Sequence, residues 1–224
     1  FPDLKVLGCN CTGLDHLPLD ECVRRGIKVI SLQDSVFFTK FITSTAEHTI
    51  GLMIALLRNY KTALNAPYKD REAYKGHKIY GKTLGIIGYG RVGKQVEQIA
   101  KAMGMKVLSY DKVLNYKGES DLNGLLYESD AVSLHVPLPG NEGFFDSRKL
   151  AMMKPSAILI NTSRDAIIEK GALVEVLKNG VIAGAAIDFI DDLELVEYSK
   201  TYNNLILTNH IGGCTEEDMQ LTED

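Results

Sequence analysis

Gly88–Tyr89–Gly90–Arg91–Val92–Gly93, with Asp111 beyond it, has the residue types and spacing to hold a dinucleotide. Gly88 permits a tight turn. Gly90, lacking a Cβ, lets a pyrophosphate approach the backbone, and Gly93 lets a helix pack close on a strand. The free N–H groups of a helix that starts at Arg91 and Val92, together with the helix dipole, favour the phosphate charge. Asp111 follows at about the twenty-residue distance at which a carboxylate meets ribose hydroxyls. It would repel a 2′-phosphate, so the expected cofactor is NAD rather than NADP. A glycine triplet alone is weak; here the flanking pattern agrees with it.

The elements that must position these residues are legible on both sides. Leu84 to Ile87 is a short apolar run suited to a strand buried on both faces. Val92, Val96, Ile99, Ala100 and Met103 recur at helical spacing, with Gly104 as the stop. Met105 to Tyr110 predicts the next strand. Further strands are expected at Ala131–Pro137, Ala157–Asn161, Ala183–Asp188 and Leu205–Thr208. Helices are expected at Arg148–Met153 and around Ala172–Leu177, the latter stopping at Asn179–Gly180. Strands alternating with helices predict an α/β protein with a doubly wound parallel sheet of Rossmann type. Ligands of such sheets sit outside the carboxyl ends of the strands. The residues just after each strand are therefore the candidates: Gly88–Gly93, Asp111, His135–Val136–Pro137, Asn161–Thr162–Ser163–Arg164, Asp188 and Asn209–His210.

Before the glycine turn the chain reads differently. Leu4–Gly8 and Ile27–Ile30 predict strands around a short helix ending at Gly26, a β-α-β unit too small to stand alone. Preceding residues are therefore expected to be missing from this sequence. Ser44–Thr45–Ala46–Glu47 is a capping box ahead of a helix running to about Arg58. That helix is apolar on nearly all sides, as a helix buried between layers or subunits would be. Residues 59–80 are polar and predict an irregular or helical crossing.

Composition bounds the alternatives. The 224 residues are 45% hydrophobic and 24% charged, with a net charge of -4. Such a chain has no basic field for nucleic acid. Its most apolar stretch, Ile50 to Leu57, is too short to span a bilayer. Four cysteines (Cys9, Cys11, Cys22 and Cys214) make no disulfide framework at this length, so a reduced, cytoplasmic protein is expected. Cys9 and Cys11 lack a second Cys/His pair at zinc spacing, so no metal is expected.

Several segments in the same order resemble the D-isomer-specific 2-hydroxyacid dehydrogenases: Gly81–Gly93, Leu134–Leu138, Asn161–Arg164 and His210–Thr215. Gly8–Gly13 followed by Leu19–Asp20 is most similar to phosphoglycerate dehydrogenases within that family. The resemblance implies an NAD-binding domain, residues 81–208, inserted into a smaller flavodoxin-like substrate domain made of 1–80 and 209–224. It implies that Arg164 holds the substrate's carboxylate and carbonyl oxygen, and that His210 is the general acid/base. It gives the carboxylate to backbone N–H groups of Cys11, Thr12 and Gly13. Asp188 is implied to face the nicotinamide carboxamide, with Thr162, Ser163 and Gly212 lining the cofactor site and His135, Val136 and Pro137 flanking the adenosine. It also implies a homodimer or higher homo-oligomer, with a 2-hydroxyacid or 2-ketoacid as the small-molecule partner. Against this, Arg164 could be a surface arginine, His210 a loop histidine and Asp188 a loop cap. His16, His48 and His77 read as structural.

Two departures stand out. Asp165 follows Arg164, where the family usually has glycine or proline. The family's glutamate, five residues beyond the aspartate, falls here on Leu193, between Asp192 and Glu194, and the proline after it is absent. Glu194, Asp192 or no acid could pair with His210. The expected activity is an NAD-dependent D-2-hydroxyacid dehydrogenase of phosphoglycerate-dehydrogenase type. The alternatives are an NAD(H)-binding regulator or scaffold with little catalysis, and a relative acting on another 2-ketoacid such as glyoxylate or hydroxypyruvate.

Overall fold

The computed structural model describes residues 2–32, 39–65, 71–113, 121–188 and 191–223. The middle of the expected 59–80 crossing (66–70), and 189–190 beyond the expected Ala183–Asp188 strand, lie outside them. Two compact units emerge: residues 1–44 with 213–224, and residues 45–212. The second begins well before the Gly81 boundary expected from the sequence.

The larger unit is built on six parallel strands: β3 (Thr83–Ile87), β4 (Lys106–Tyr110), β5 (Ala131–Leu134), β6 (Ile158–Asn161), β7 (Gly184–Ile187) and β8 (Leu205–Leu207). Their order is β4-β3-β5-β6-β7-β8. The chain goes from β3 outward to β4, then crosses back to β5 on the other side of β3. That reversal is a topological switch point, where open α/β sheets bind ligands.

Side chains alternate along each strand with period two, and both faces are covered. Ile87, Val132, Leu134, Leu159, Ala185, Ile187 and Leu205 point into one core layer, under helices Leu122–Glu128, Ser147–Met152, Ala172–Lys178 and Leu193–Thr201. Leu84, Ile86, Ala131, Ile158, Ile160 and Ala186 point into the other. There Val96 and Ala100 of helix Arg91–Ala102 meet Ala46, Ile50, Met53 and Leu57 of helix Ser44–Leu57. The all-apolar character of that second helix thus has a physical cause: it is half of a core layer. Residues 45–65 and 71–80 accordingly fall in the same compact unit as the sheet.

Two helices in this unit escaped the sequence reading. Leu122–Glu128 is capped by Asp121, which accepts from the Gly124 N–H at 2.7 Å. Leu193–Thr201 is capped by Asp192, which accepts from the Glu194 N–H at 2.8 Å and buries Leu195 and Tyr198. Both are short, and an Asp N-cap was their only strong signal.

The smaller unit contains β1 (Val6–Cys9) paired in parallel with β2 (Lys28–Ser31). Helix Leu19–Arg24 connects them, and Gly26 turns the chain with φ +65°. Its last helix, Glu216–Glu223, starts with Thr215 Oγ1 accepting from the Asp218 N–H. Asp218 in turn accepts from both the amide and the hydroxyl of Ser44.

Candidate active site

The glycine turn leaves β3 at the switch point. Gly88 has φ +96°, and a Cβ there would meet the His135 carbonyl at 2.5 Å. A Cβ on Gly93 would stand 2.2 Å from the Gly88 carbonyl oxygen and 3.2 Å from Ile86 Cγ2. A Cβ on Gly90 would meet nothing within 4 Å. Two glycines are therefore demanded by the protein's own packing. The third keeps open a space that no described residue fills, as a cradle for an approaching group would. Gly90 also caps helix Arg91–Ala102, whose amide end, at Arg91 and Val92, faces the glycine turn.

Asp111 stands just past β4. Its carboxylate accepts from the Tyr89 N–H and the Val113 N–H, each at 2.8 Å. The first of these bonds aims it at the glycine turn. On the other side of β3, His135 follows β5 and shares a 3.0 Å hydrogen bond with Ser133 Oγ. Desolvation lowers its imidazole to about 4, so the ring is neutral near pH 7. Pro137 accepts from Asn141 Nδ2 at 2.9 Å, and Val136 packs on the core. These residues fit a dinucleotide: an open glycine, a helix amide end and a carboxylate converge at one switch point.

Arg164 leaves β6 through a braced turn. Asn161, 1% exposed, accepts from the Ser163 N–H at 3.0 Å and donates to the Arg164 carbonyl at 2.7 Å. Ser163 Oγ donates to the Leu134 carbonyl, and Thr162 Oγ1 meets Thr49 Oγ1 at 2.9 Å. The arginine is thus mounted on a turn tied to two neighbouring elements. Asp165 is occupied elsewhere. Its carboxylate accepts from the Ala166 N–H at 2.8 Å and the Asp191 N–H at 2.6 Å. It closes a short 3-10 turn and anchors the loop after β7.

Asp188 ends β7 and is 1% exposed. Oδ1 accepts from Thr208 Oγ1 at 2.6 Å and the Ile211 N–H at 2.9 Å, and Oδ2 from the Gly212 N–H at 2.7 Å. His48 Nε2 lies 3.2 Å from Oδ1. Burial alone would raise this carboxyl, but the bonds from His48, Thr208 and the two amides outweigh it and hold it below the ordinary aspartate value. The donors bracket His210, which is exposed and held at φ +54°. The sheet order sets Arg164 after β6 and His210 after β8, with Asp188 after β7 between them. Neighbouring strands lie about 4.8 Å apart, so the two turns stand about 10 Å from each other.

Glu194 is turned another way. It lies in the first turn of its helix, with its carboxylate 4.0 Å from Lys178 Nζ. It pairs with that lysine at the exposed surface. Cys11, Thr12 and Gly13 lie in the smaller unit, in the loop that follows β1. Among the described residues, no group of three His, Cys, Asp or Glu could hold a metal ion, and no helix is long and apolar enough to cross a membrane.

The sequence reading missed His48, Thr49 and Thr208, which hold the turns from behind. A histidine and a threonine in an otherwise apolar helix were the one available signal. A cavity of about 330 Å³ opens at the amino-terminal edge of the sheet, near Lys61, His77, Ser156 and Asn204. It is remote from these turns, and the Lys61 ammonium there is already committed to backbone carbonyls.

Comparison with known proteins identifies the family. The family described as D-isomer specific 2-hydroxyacid dehydrogenase, NAD binding domain, matches residues 50–212. The chain is similar to a glycerate dehydrogenase of Methylorubrum extorquens, 36% identical over all of the chain and 74% of that protein. It is similar to a D-3-phosphoglycerate dehydrogenase of Methanocaldococcus jannaschii, 37% identical over 96% of the chain but only 42% of that protein. Among solved structures it resembles a D-lactate dehydrogenase of Aquifex aeolicus complexed with NAD and lactic acid, with TM-score 0.81 and 28% identity. That match covers 99% of this chain and 73% of the other.

Proposed function

Because this chain belongs to the D-isomer specific 2-hydroxyacid dehydrogenases, we propose that it exchanges a hydride between NAD and C2 of a D-2-hydroxyacid or its 2-ketoacid, in the manner of a phosphoglycerate dehydrogenase. Bound NAD supplies the hydride acceptor in one direction and the donor in the other. The chain's own residues do the rest. Arg164 offers a planar fork to the substrate's carboxylate and C2 oxygen. His210 accepts the C2 hydroxyl proton as the C2 hydride departs, leaving a C2 carbonyl, and returns a proton to that oxygen in reduction. Backbone N–H groups of Cys11, Thr12 and Gly13 add donors for the carboxylate, a role that rests on the resemblance. Asp188 holds the loop that carries His210, and the neutral His135 helps keep the adenosine side apolar. A cytoplasmic homodimer or higher homo-oligomer fits the family pattern.

The observation that carries this reading is the order β6-β7-β8, which sets the Arg164 turn and the His210 loop on either side of Asp188 at the carboxyl edge of the cofactor sheet. The test is NADH oxidation by the full chain with glyoxylate, hydroxypyruvate, 3-phosphohydroxypyruvate and pyruvate. Turnover on at least one is expected. Arg164→Ala should lower kcat/KM by 100-fold or more, on the order of 3 kcal/mol for a buried charge-assisted pair, while NADH binding is retained. Tight NADH binding with no turnover on any ketoacid would sink this reading in favour of a regulator.

A further inference from the structure

The helix Ser44–Leu57 carries an imidazole that faces the back of the His210 loop. His48 Nε2 lies 3.2 Å from both Asp188 Oδ1 and Thr208 Oγ1. A carboxylate oxygen only accepts, so Nε2 carries the proton and donates to it. Thr208 donates to the same oxygen, and the Ile211 and Gly212 amides complete the set. Gly212 is pressed into this cluster. A Cβ there would stand 2.7 Å from Asp188 Oδ2 and 3.5 Å from His48 Cδ2. The next residue of the helix, Thr49, braces the Arg164 turn through Thr162. One helix thus stands behind both turns.

We propose that His48 is a positioning residue for His210. Its N–H fixes the Asp188 carboxylate in the one orientation that accepts from Thr208, Ile211 and Gly212 together, and so holds His210 in its left-handed conformation. The proposal rests on the dehydrogenase reading only for what His210 does once it is held. Asp188 has one carboxylate plane to offer four donors. Without the His48 donor it can rotate, and the two amides that follow His210 lose their acceptor. A left-handed conformation is uncommon for any residue but glycine, and these bonds on either side of His210 help hold it there.

The test compares His48→Ala and His48→Gln with the unmodified chain, without cofactor and with NADH. The glutamine keeps an N–H donor the same number of bonds from Cα. In His48→Ala, hydrogen-exchange protection of the Ile211 and Gly212 amides should fall about tenfold or more, as loss of one charge-assisted hydrogen bond predicts, while β5 and β6 keep theirs. In the same variant kcat for ketoacid reduction should fall about tenfold with the NADH dissociation constant within about twofold. His48→Gln should recover most of both. Unchanged exchange at 211–212, loss spread evenly through the sheet, or a glutamine variant no better than alanine would each overturn the proposal. If the unmodified chain turns over no ketoacid, the dehydrogenase reading fails while the exchange measurement still decides whether His48 holds the loop.

Discussion

The three glycines of the turn are not equivalent, and the difference is measurable. At Gly93 an added methyl meets the Gly88 carbonyl oxygen at 2.2 Å, backbone that can yield only by separating helix from strand. Gly93→Ala should therefore lower stability, by roughly 2 kcal/mol or more, as well as NADH binding. At Gly90 nothing lies within 4 Å and φ is −78°, which alanine adopts freely. Gly90→Ala should leave the melting temperature within about 2 °C of the original while weakening NADH binding tenfold or more, since the methyl enters the space meant for pyrophosphate. Calorimetry with and without NADH separates the two; Gly90→Ala binding as tightly as the original would remove this turn as a phosphate cradle. Glu194 invites a second comparison. Its carboxylate sits beside Lys178, so Glu194→Gln should leave the pH profile of ketoacid reduction where it was. A displaced ionisation would restore Glu194 as the partner of His210.

At the scale of elements, the best-anchored junction lies at the other end of the sheet. Lys61, in the short helix Tyr60–Leu64, donates to the carbonyls of Ser199, Tyr202 and Leu205. The first two close the end of helix Leu193–Thr201 and the third opens β8, so one ammonium joins three elements and meets the negative end of a helix dipole. Burial lowers its pKa, yet the carbonyls still favour the charge. Lys61→Met keeps the aliphatic stem and removes the donor. We expect a loss of roughly 2 kcal/mol, about 4–8 °C in melting temperature, with faster amide exchange near residues 202–205. A melting temperature unchanged within 1 °C would mean that solvent satisfies these carbonyls. Helix Ser44–Leu57 illustrates the same scale from the other side. Its sequence declared it buried, but only its seat on Ile158, Ile160 and Ala186 shows that it belongs to the cofactor sheet.

For the molecule as a whole, His135 and the carboxylates held low, Asp188 among them, should set the response to pH in separate windows. His135 is neutral in the fold down to about 4, whereas an unfolded chain protonates it near 6.5. Between those values the unfolded state binds the extra proton, so stability is greatest above 6.5 and declines as pH falls toward 4. The decline is at most about 3 kcal/mol, less in proportion to the solvent that reaches the ring. Asp188 behaves oppositely in origin. Its folded carboxyl is held low, so its contribution is intact above about 4 and disappears only as pH falls through the lowered value. Denaturant unfolding at pH 7, 5.5 and 4.5 should show the first decline, and His135→Gln should flatten it; an identical slope in that variant would exclude His135 as its cause. Features that depend on neighbours along the chain could be read without the fold: the period-two strands, the glycine spacing, the acid after β4, and the turns that carry Arg164 and His210. These are local because turn geometry and strand alternation are set within a few residues. Contacts between distant segments were settled by packing alone. Packing joined residues 45–65 and 71–80 to the unit of the sheet, gave Asp165 to the Asp191 amide and Glu194 to Lys178, and brought His48 to 3.2 Å from Asp188 across 140 residues of chain, because hydrogen-bond partners are chosen by the packing of core layers and not by order in the sequence.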